Sequence, residues 1–378
     1  MTMQIVSVET IIVDLPTVRP HKLAMATINS QGLVIVRVRD EQGNEGLGEA
    51  SVIPHYGSET VEAIKVVIDQ YLAPAVIGLN PGELEILHEK MNACLKENHY
   101  PKAALEMACV DLAARRLGVP ASALFGGAVR DRLQVLLVLG NGDAPRDIEL
   151  AEQKLDERQH NLFLVKVGKA DVRDDVARAA AIKRALGERA RVHVDANQSW
   201  DEAQATWAIP RLEDAGIAVV EQPLPRWNVE GMRRLCERFA VPIMADEAID
   251  TVESALDFAR RGAADAFSIK VTKQGGMLPT RKVATIAEAA GISLFGGTML
   301  EGGIGTSAYA QLFSTVRRLD WGCQLFGPLL FSDTITVEQP IFKDFHLQVP
   351  QGPGYGMTID EEKLAYYRRD GGKYRRAQ

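Results

Sequence analysis

Three acidic residues each close a short apolar run: Asp195 in RVHVDANQSW, Glu221 in AVVEQPLP and Asp246 in VPIMADEAI. They stand 26 and 25 residues apart. One strand, one helix and two turns of a parallel α/β fold take roughly 25 residues. The spacing therefore predicts three carboxylates at the C-terminal ends of neighbouring strands. Such a trio, with open positions between its members, suits a hard divalent cation, Mn2+ or Mg2+. Lys166 ends the run LFLVK and Lys270 ends AFSIK, one on each side of the trio along the chain. A dication between two ammonium groups can stabilise the enediolate of a bound carboxylate while a lysine moves a proton at its α-carbon. Gln324, in WGCQLFGP, closes the last such run and completes the expected catalytic set. Asn197 and Glu247 are expected to hydrogen-bond beside the ligands. Lys169 and Lys273 read as solvated loop lysines. No GxSxG, GxxxxGK[ST] or HExxH pattern competes with this constellation.

The elements that must position these residues follow from hydrophobic patterning. From Leu133 onward, eight apolar runs alternate with helix-length spacers: QVLLVLGN, LFLVKVGK, RVHVDAN, AVVEQPL, PIMADE, AFSIKV, SLFGGTML and WGCQLFGP. Eight strands with helical crossovers predict a closed (β/α)8-type barrel, a modified TIM barrel, over residues 129–327. Residues 1–128 read differently. QIVSVETIIVDL, GLVIVRVRD and EGLGEAS alternate like strands of a meander, with a turn at Glu41–Asn44, and helical periodicity follows over about 59–76 and 102–117. This block is an α+β capping domain. The tail, 328–378, alternates again in DFHLQVP and is expected to return onto the capping domain. The last helical spacer is expected near 307–318.

Composition narrows the class. The chain has 378 residues, 46% hydrophobic and 25% charged, as in an ordinary soluble α/β protein of two parts. A net charge of −7 argues against a nucleic-acid partner. It leaves room for a small anion, because a bound dication reverses the local field. No apolar run approaches the ~18–20 residues needed to span a bilayer, and the N-terminus lacks a signal peptide's charged start and cleavage site. Cys94, Cys109, Cys236 and Cys323 are scattered, as free thiols in a cytoplasmic protein would be.

The segments IIVDLPTVRPHKLAM, VHVDANQSWDE, EQP, IMADE, SIKVTKQGG, GGTMLEGGIGT and GCQLFGPLL, spread over the whole chain, resemble the enolase superfamily. RPHKLAM resembles its muconate cycloisomerase branch in particular. The resemblance implies metal ligation by Asp195, Glu221 and Asp246. It implies proton delivery by Lys166, the second lysine of a K-x-K motif, and places Lys270 as the sixth-strand lysine. It further implies substrate contacts from His21, Lys22, Ile53, His55, Tyr56 and Phe326. The implied reaction closes a small dicarboxylate, cis,cis-muconate or a substituted one, to a muconolactone through an enediolate. A homo-oligomer, often an octamer, is implied as well. Three positions depart from the pattern. Leu164 replaces the first lysine of K-x-K, Gln324 replaces an eighth-strand glutamate, and the loop after Glu49 is shortened. Losing the ammonium at 164 should leave Lys166 more firmly protonated, which favours an acid over the base a racemase or epimerase requires. Two alternatives stay open: a proton-transfer enzyme acting on another carboxylate, and a weakened homologue that binds carboxylates without turnover.

Overall fold

The computed structural model describes residues 4–22, 27–53, 56–57 and 59–374. Strands Ile5–Lys22, Thr27–Asp40 and Glu45–Ser51 form an antiparallel meander whose turn lies at Asp40–Asn44, as the sequence predicts. Leu33 to Val36 are buried on both faces of this sheet. One face takes the helix His99–Leu117, and Gly46 and Gly48 are needed there because a Cβ at either would strike that helix's backbone. The opposite face presents Glu49 and Ser51 to the barrel. The helical region expected over 59–76 runs from Val61 to Val76 through a π turn at Ile68–Leu72. A further helix, Leu84–Cys94, was not legible in the sequence. It buries only Leu87, His88 and Met91, a narrow stripe that includes a histidine.

Seven parallel strands stand side by side in chain order: Leu137–Leu139, Leu162–Lys166, Arg191–Asp195, Val219–Glu221, Ile243–Ala245, Ala266–Ile269 and Ser293–Gly296. The apolar residues of these strands are almost all buried, as parallel strands covered by helices require. The eighth run differs from expectation. It is reduced to single bridges in which Cys323 links Gly296 of the seventh strand to Val135 ahead of the first. Gln324 N donates to Gly296 O at 2.7 Å and Cys323 N to Gln134 O at 2.8 Å, so the ring still closes. Gly322, at a φ of 74°, bends the chain into this short span, and a Cβ there would stand 2.9 Å from Gln134 O.

The crossover helix after the seventh strand spans Gly303–Phe313, a few residues ahead of the expected 307–318. The tail divides between two surfaces. Phe331 bridges Thr17, and Arg368 bridges Val13, while the Arg369 guanidinium forks onto Asp14 at 2.8 and 2.6 Å. DFHLQVP, however, pairs through His346–Gln348 with Arg132–Gln134 at the entry to the barrel and not with the N-terminal block. Among the described residues no helix is long and apolar enough to cross a membrane, and all four cysteines are free.

Candidate active site

Strand register turns sequence spacing into adjacency. Lys166 pairs with Asp195, and Asp195 with Glu221, across three neighbouring strands. All three lie at C-terminal strand ends, where the side chains of a parallel barrel converge. A cavity opens there, lined by Lys166, Asp195, Asn197, Glu221, Asp246, Lys270 and Gln324 from the barrel and by Ile53 and Tyr56 from the capping region.

Two lysines hold the outer carboxylates. Lys166 Nζ donates to Asp195 Oδ2 and, at 2.9 Å, to Asn197 Oδ1. Asn197 in turn donates its amide to Asp195 Oδ1 at 2.8 Å and its Nδ2 to Glu247 Oε1 at 3.1 Å. Asn197 adopts a left-handed backbone (φ 42°), which asparagine tolerates better than most residues and which turns its side chain back to the strand end. On the opposite side, Lys270 Nζ donates to Asp246 Oδ2 and to the Tyr56 hydroxyl, both at 2.6 Å, and lies 4.1 Å from the centre of the Tyr56 ring. The Tyr56 hydroxyl donates to Asp246 Oδ2 at 2.8 Å. Gly297 makes this possible, since a Cβ there would come within 2.5 Å of Lys270 Cε.

Electrostatics in the cavity are set by burial and crowding. Burial, then the Asp195 and Asp246 charges, push the Glu221 carboxyl well above the usual carboxylate range. Burial alone would raise Asp246 too, but Lys270 and Lys273 overcome it and hold Asp246 well below that range. For Lys166, burial lowers the pKa, yet Asp195 and Glu221 outweigh it and the net shift is upward. Burial and the charges of Asp246 and Asp195 raise Glu247 to about 7, and its Oε2 has no hydrogen-bond partner. Among the described residues no three His, Cys, Asp or Glu side chains are already grouped as metal ligands; Asp195 and Asp246 each pair with a lysine.

The structure brings together most of the anticipated residues. Asn197 and Glu247 sit where expected, hydrogen-bonded beside the carboxylates. Phe326 does not line the cavity: it is 1% exposed, buried in the core where the chain turns after Gln324. His55 and the side chains of His21 and Lys22 fall outside the described residues. Lys273 corrects the expectation of a solvated lysine. It is buried, and its Nζ donates to Asp246 Oδ1 at 2.7 Å, Asp246 O at 2.5 Å and Ser268 O at 3.0 Å. Its place three residues after Lys270, one helical turn on, was the available signal. Sequence reasoning also missed Val138, Thr298, Met299 and Leu300 in the lining, and Gln222, whose Oε1 accepts the Asp246 amide at 2.9 Å and ties the fourth strand end to the fifth. Apolar and amide side chains carry no chemical signature that would single them out in a chain of this length.

Comparison with known proteins places this geometry. Residues 146–363 match the model of the enolase C-terminal domain-like family, and residues 7–126 that of the mandelate racemase/muconate lactonizing enzyme N-terminal domain. The chain is 48% identical over 366 residues to muconate cycloisomerase 1 of Pseudomonas putida, covering 96% of this chain and 98% of that one. It is 42% identical over 369 residues to a chloromuconate cycloisomerase of Cupriavidus pinatubonensis, covering 97% of this chain and all of the other. The crystal structure of a muconate lactonizing enzyme from Pseudomonas fluorescens complexed with muconolactone superposes with a TM-score of 0.95 at 48% identity, over 98% of this chain and 100% of that one. Likeness of this extent in both halves, with a barrel rim of three carboxylates and two lysines, makes the chain a member of the muconate cycloisomerase branch of the enolase superfamily.

Proposed function

We propose that this chain is a divalent-metal-dependent isomerase that closes cis,cis-muconate, or a substituted muconate, to a muconolactone. The observation that carries the reading is one cavity in which Lys166 and Lys270 face each other across Asp195, Glu221 and Asp246. The family implies a divalent metal, and the donor set fits one. All three groups are carboxylates, and Glu221 is buried among its neighbours so tightly that its charged form is disfavoured, a surplus of negative charge that a dication relieves. Asp195, Glu221 and Asp246 would hold it, as Mn2+ or Mg2+ given their all-oxygen chemistry. When bound, it supplies electrostatic stabilisation for charge gathering on a substrate carboxylate.

The remaining work falls to the chain. One carboxylate oxygen of the substrate adds to the double bond conjugated with the other carboxylate, and the electron pair moves towards that second group. Lys166, hydrogen-bonded to Asp195 and Asn197, then donates its proton to the carbon α to it. Lys270, with Tyr56, holds the opposite wall and offsets the substrate's negative charge. Gln324 lines the rim and offers an amide donor with no proton to surrender. Ile53 and Tyr56 cover the cavity from the capping side and exclude water. A lone acidic lysine suits protonation after ring closure better than it suits racemisation, which needs a basic lysine.

This assignment includes the division into a capping domain of 1–128, a barrel of 129–327 and a tail of 328–378, a cytoplasmic location, and a homo-oligomer such as the octamer the resemblance implies. The direct test is loss of the muconate diene absorbance on incubation with the chain and Mn2+, with deuterium from heavy water appearing at the α-carbon of the lactone. Retention of the diene in the presence of bound Mn2+ would overturn the reading.

A further inference from the structure

Two barrel helices begin without a cap of their own. The helix Met277–Ala290 follows Gly276 and the helix Gly303–Phe313 follows Gly302; neither glycine has a side chain to satisfy the first free amides. In both cases a glutamate of the capping region does so. Glu49 accepts from Gly302 N at 2.5 Å and from Gly305 N at 3.1 Å. Glu106, on the helix His99–Leu117, accepts from Met277 N and, at 2.9 Å, from Leu278 N, and His88 Nε2 stands 3.0 Å from its Oε1. Both carboxylates are wholly buried. The glycines are the other half of the arrangement. A Cβ at Gly276 would overlap the Glu106 carboxylate, and one at Gly302 would lie 3.1 Å from Glu49 Oε2.

These two contacts bracket the reactive edge of the barrel. Gly276 ends the turn that begins at Lys270 and holds Lys273, whose carbonyl oxygen also lies 2.9 Å from His99 Nδ1 of the capping region. Gly302 follows Thr298, Met299 and Leu300, which line the cavity. Ser51, two residues after Glu49, donates to Met299 O at 2.7 Å and to Leu300 O at 3.0 Å, and Ile53, two residues further, lines the cavity itself.

We infer that Glu49 and Glu106 are positioning residues. By capping in trans the helices that follow the sixth and seventh barrel strands, they fix where the capping region sits over the cavity, and so set substrate affinity. Burial raises the Glu49 carboxyl to about 7, and hydrogen bonds from the helix amides, with the helix dipole, offset part of that cost. The two domains are thereby joined through the loops that touch substrate. The inference rests on the proposed lactonisation for its kinetic readout but not for its structural one.

The decisive pair of variants is Glu49→Ala and Glu49→Ala with Gly302→Ser. Gly302 has extended backbone angles (φ −74°, ψ −162°), so a serine there can supply a hydroxyl cap to its own helix in the space the glutamate vacates. The expected result is a lowered Tm in the single variant that the double variant recovers. KM for muconate should rise about tenfold in both, with kcat changed less than about threefold, because the cap in cis restores the helix and not the link between domains. Amide hydrogen exchange over 298–305 and in the strand Glu45–Ser51 should quicken in the single variant; in the double variant it should recover in 303–305 alone. This reading needs no turnover, so it separates failure of the inference from failure of the proposed reaction. If Glu49→Ala does not fold, Glu49→Gln takes its place, and Glu106→Gln is the companion measurement. Recovery of KM and of exchange in the strand Glu45–Ser51 by the double variant would reduce Glu49 to an ordinary helix cap. Unchanged exchange in the single variant would overturn the inference altogether.

Discussion

The two sides of the cavity are built on opposite electrostatic plans. On the second-strand side, Lys166 is the only lysine among the described residues that lines the cavity. The residue two before it, Leu164, is buried, and its partner in register on the next strand is His193. His193 is 1% exposed, has no hydrogen bond at either ring nitrogen, and packs edge-on against Phe295 and Trp321. Burial, with a contribution from Arg191, lowers its pKa to about 3, so it is neutral near pH 7. The floor under Lys166 therefore carries no charge. On the sixth-strand side, Lys270 shares Asp246 with a second ammonium, Lys273, and with a phenol. Burial lowers the pKa of Lys273, opposed by Asp246. One side thus presents a single lysine on which neighbouring carboxylates outweigh burial, and the other presents two lysines gathered on one carboxylate. The asymmetry supports the proposal that Lys166 delivers the proton and Lys270 balances charge.

The strongest way to break this assignment is Lys166→Met. Removal of a general acid costs about 10²–10⁴ in rate, so kcat should fall about a thousandfold while Mn2+ still binds by paramagnetic resonance. A loss below tenfold would move the proton elsewhere. Leu164→Lys gives the lone side the paired arrangement of the other. It buries an ammonium in an apolar floor and should cost about 3 kcal/mol in urea unfolding. It should also lower the pKa of Lys166 through like-charge repulsion. With the protonated lysine as the proposed active form, the alkaline fall in kcat should then begin at lower pH, by about one unit. A fall shifted to higher pH would contradict the role of acid.

On the other side, Lys273→Met removes the group that fixes Asp246 through both its carboxylate and its carbonyl. Partners that orient ligands are worth about 10–100-fold in metal affinity, so Mn2+ binding should weaken about tenfold, with the pH dependence of kcat unmoved. The smallest effect is expected from His193→Phe. In the unfolded chain a histidine takes up a proton near pH 6.5, and in the fold only near pH 3. The stability associated with this residue is thus fully present above about 6.5 and is lost as pH falls towards 3, because the unfolded state binds the extra proton. Replacing it should flatten the acid limb of stability by roughly 1 kcal/mol per pH unit in that window, visible as a lower pH midpoint of acid unfolding.

Much of this was legible before the structure. Asp195, Glu221 and Asp246 announced themselves because acid-terminated strands recur at the length of one strand–helix unit, and that unit is set by backbone geometry. The meander and seven of the eight strands followed from periodicity. The eighth run, WGCQLFGP, reads as a strand from its apolar residues, yet the chain turns at Gly322 (φ 74°) and only single bridges form at Cys323. The helix Leu84–Cys94 was missed because its buried stripe is too narrow to register. Resemblance places Phe326 at the substrate, whereas packing holds it in the core.

By itself the sequence determined which residues could hold charge at the barrel rim and in what order round the ring, since strand order in a parallel barrel follows chain order. It also determined that Leu164 removes one ammonium. Only the tertiary structure decided which carboxylate each lysine holds, that Lys273 is buried on Asp246, and that Glu49 and Glu106 cap helices far along the chain. Those are contacts between residues 24 to more than 250 positions apart. They are set by how domains dock and how side chains share a buried space, for which local sequence carries no period and no spacing.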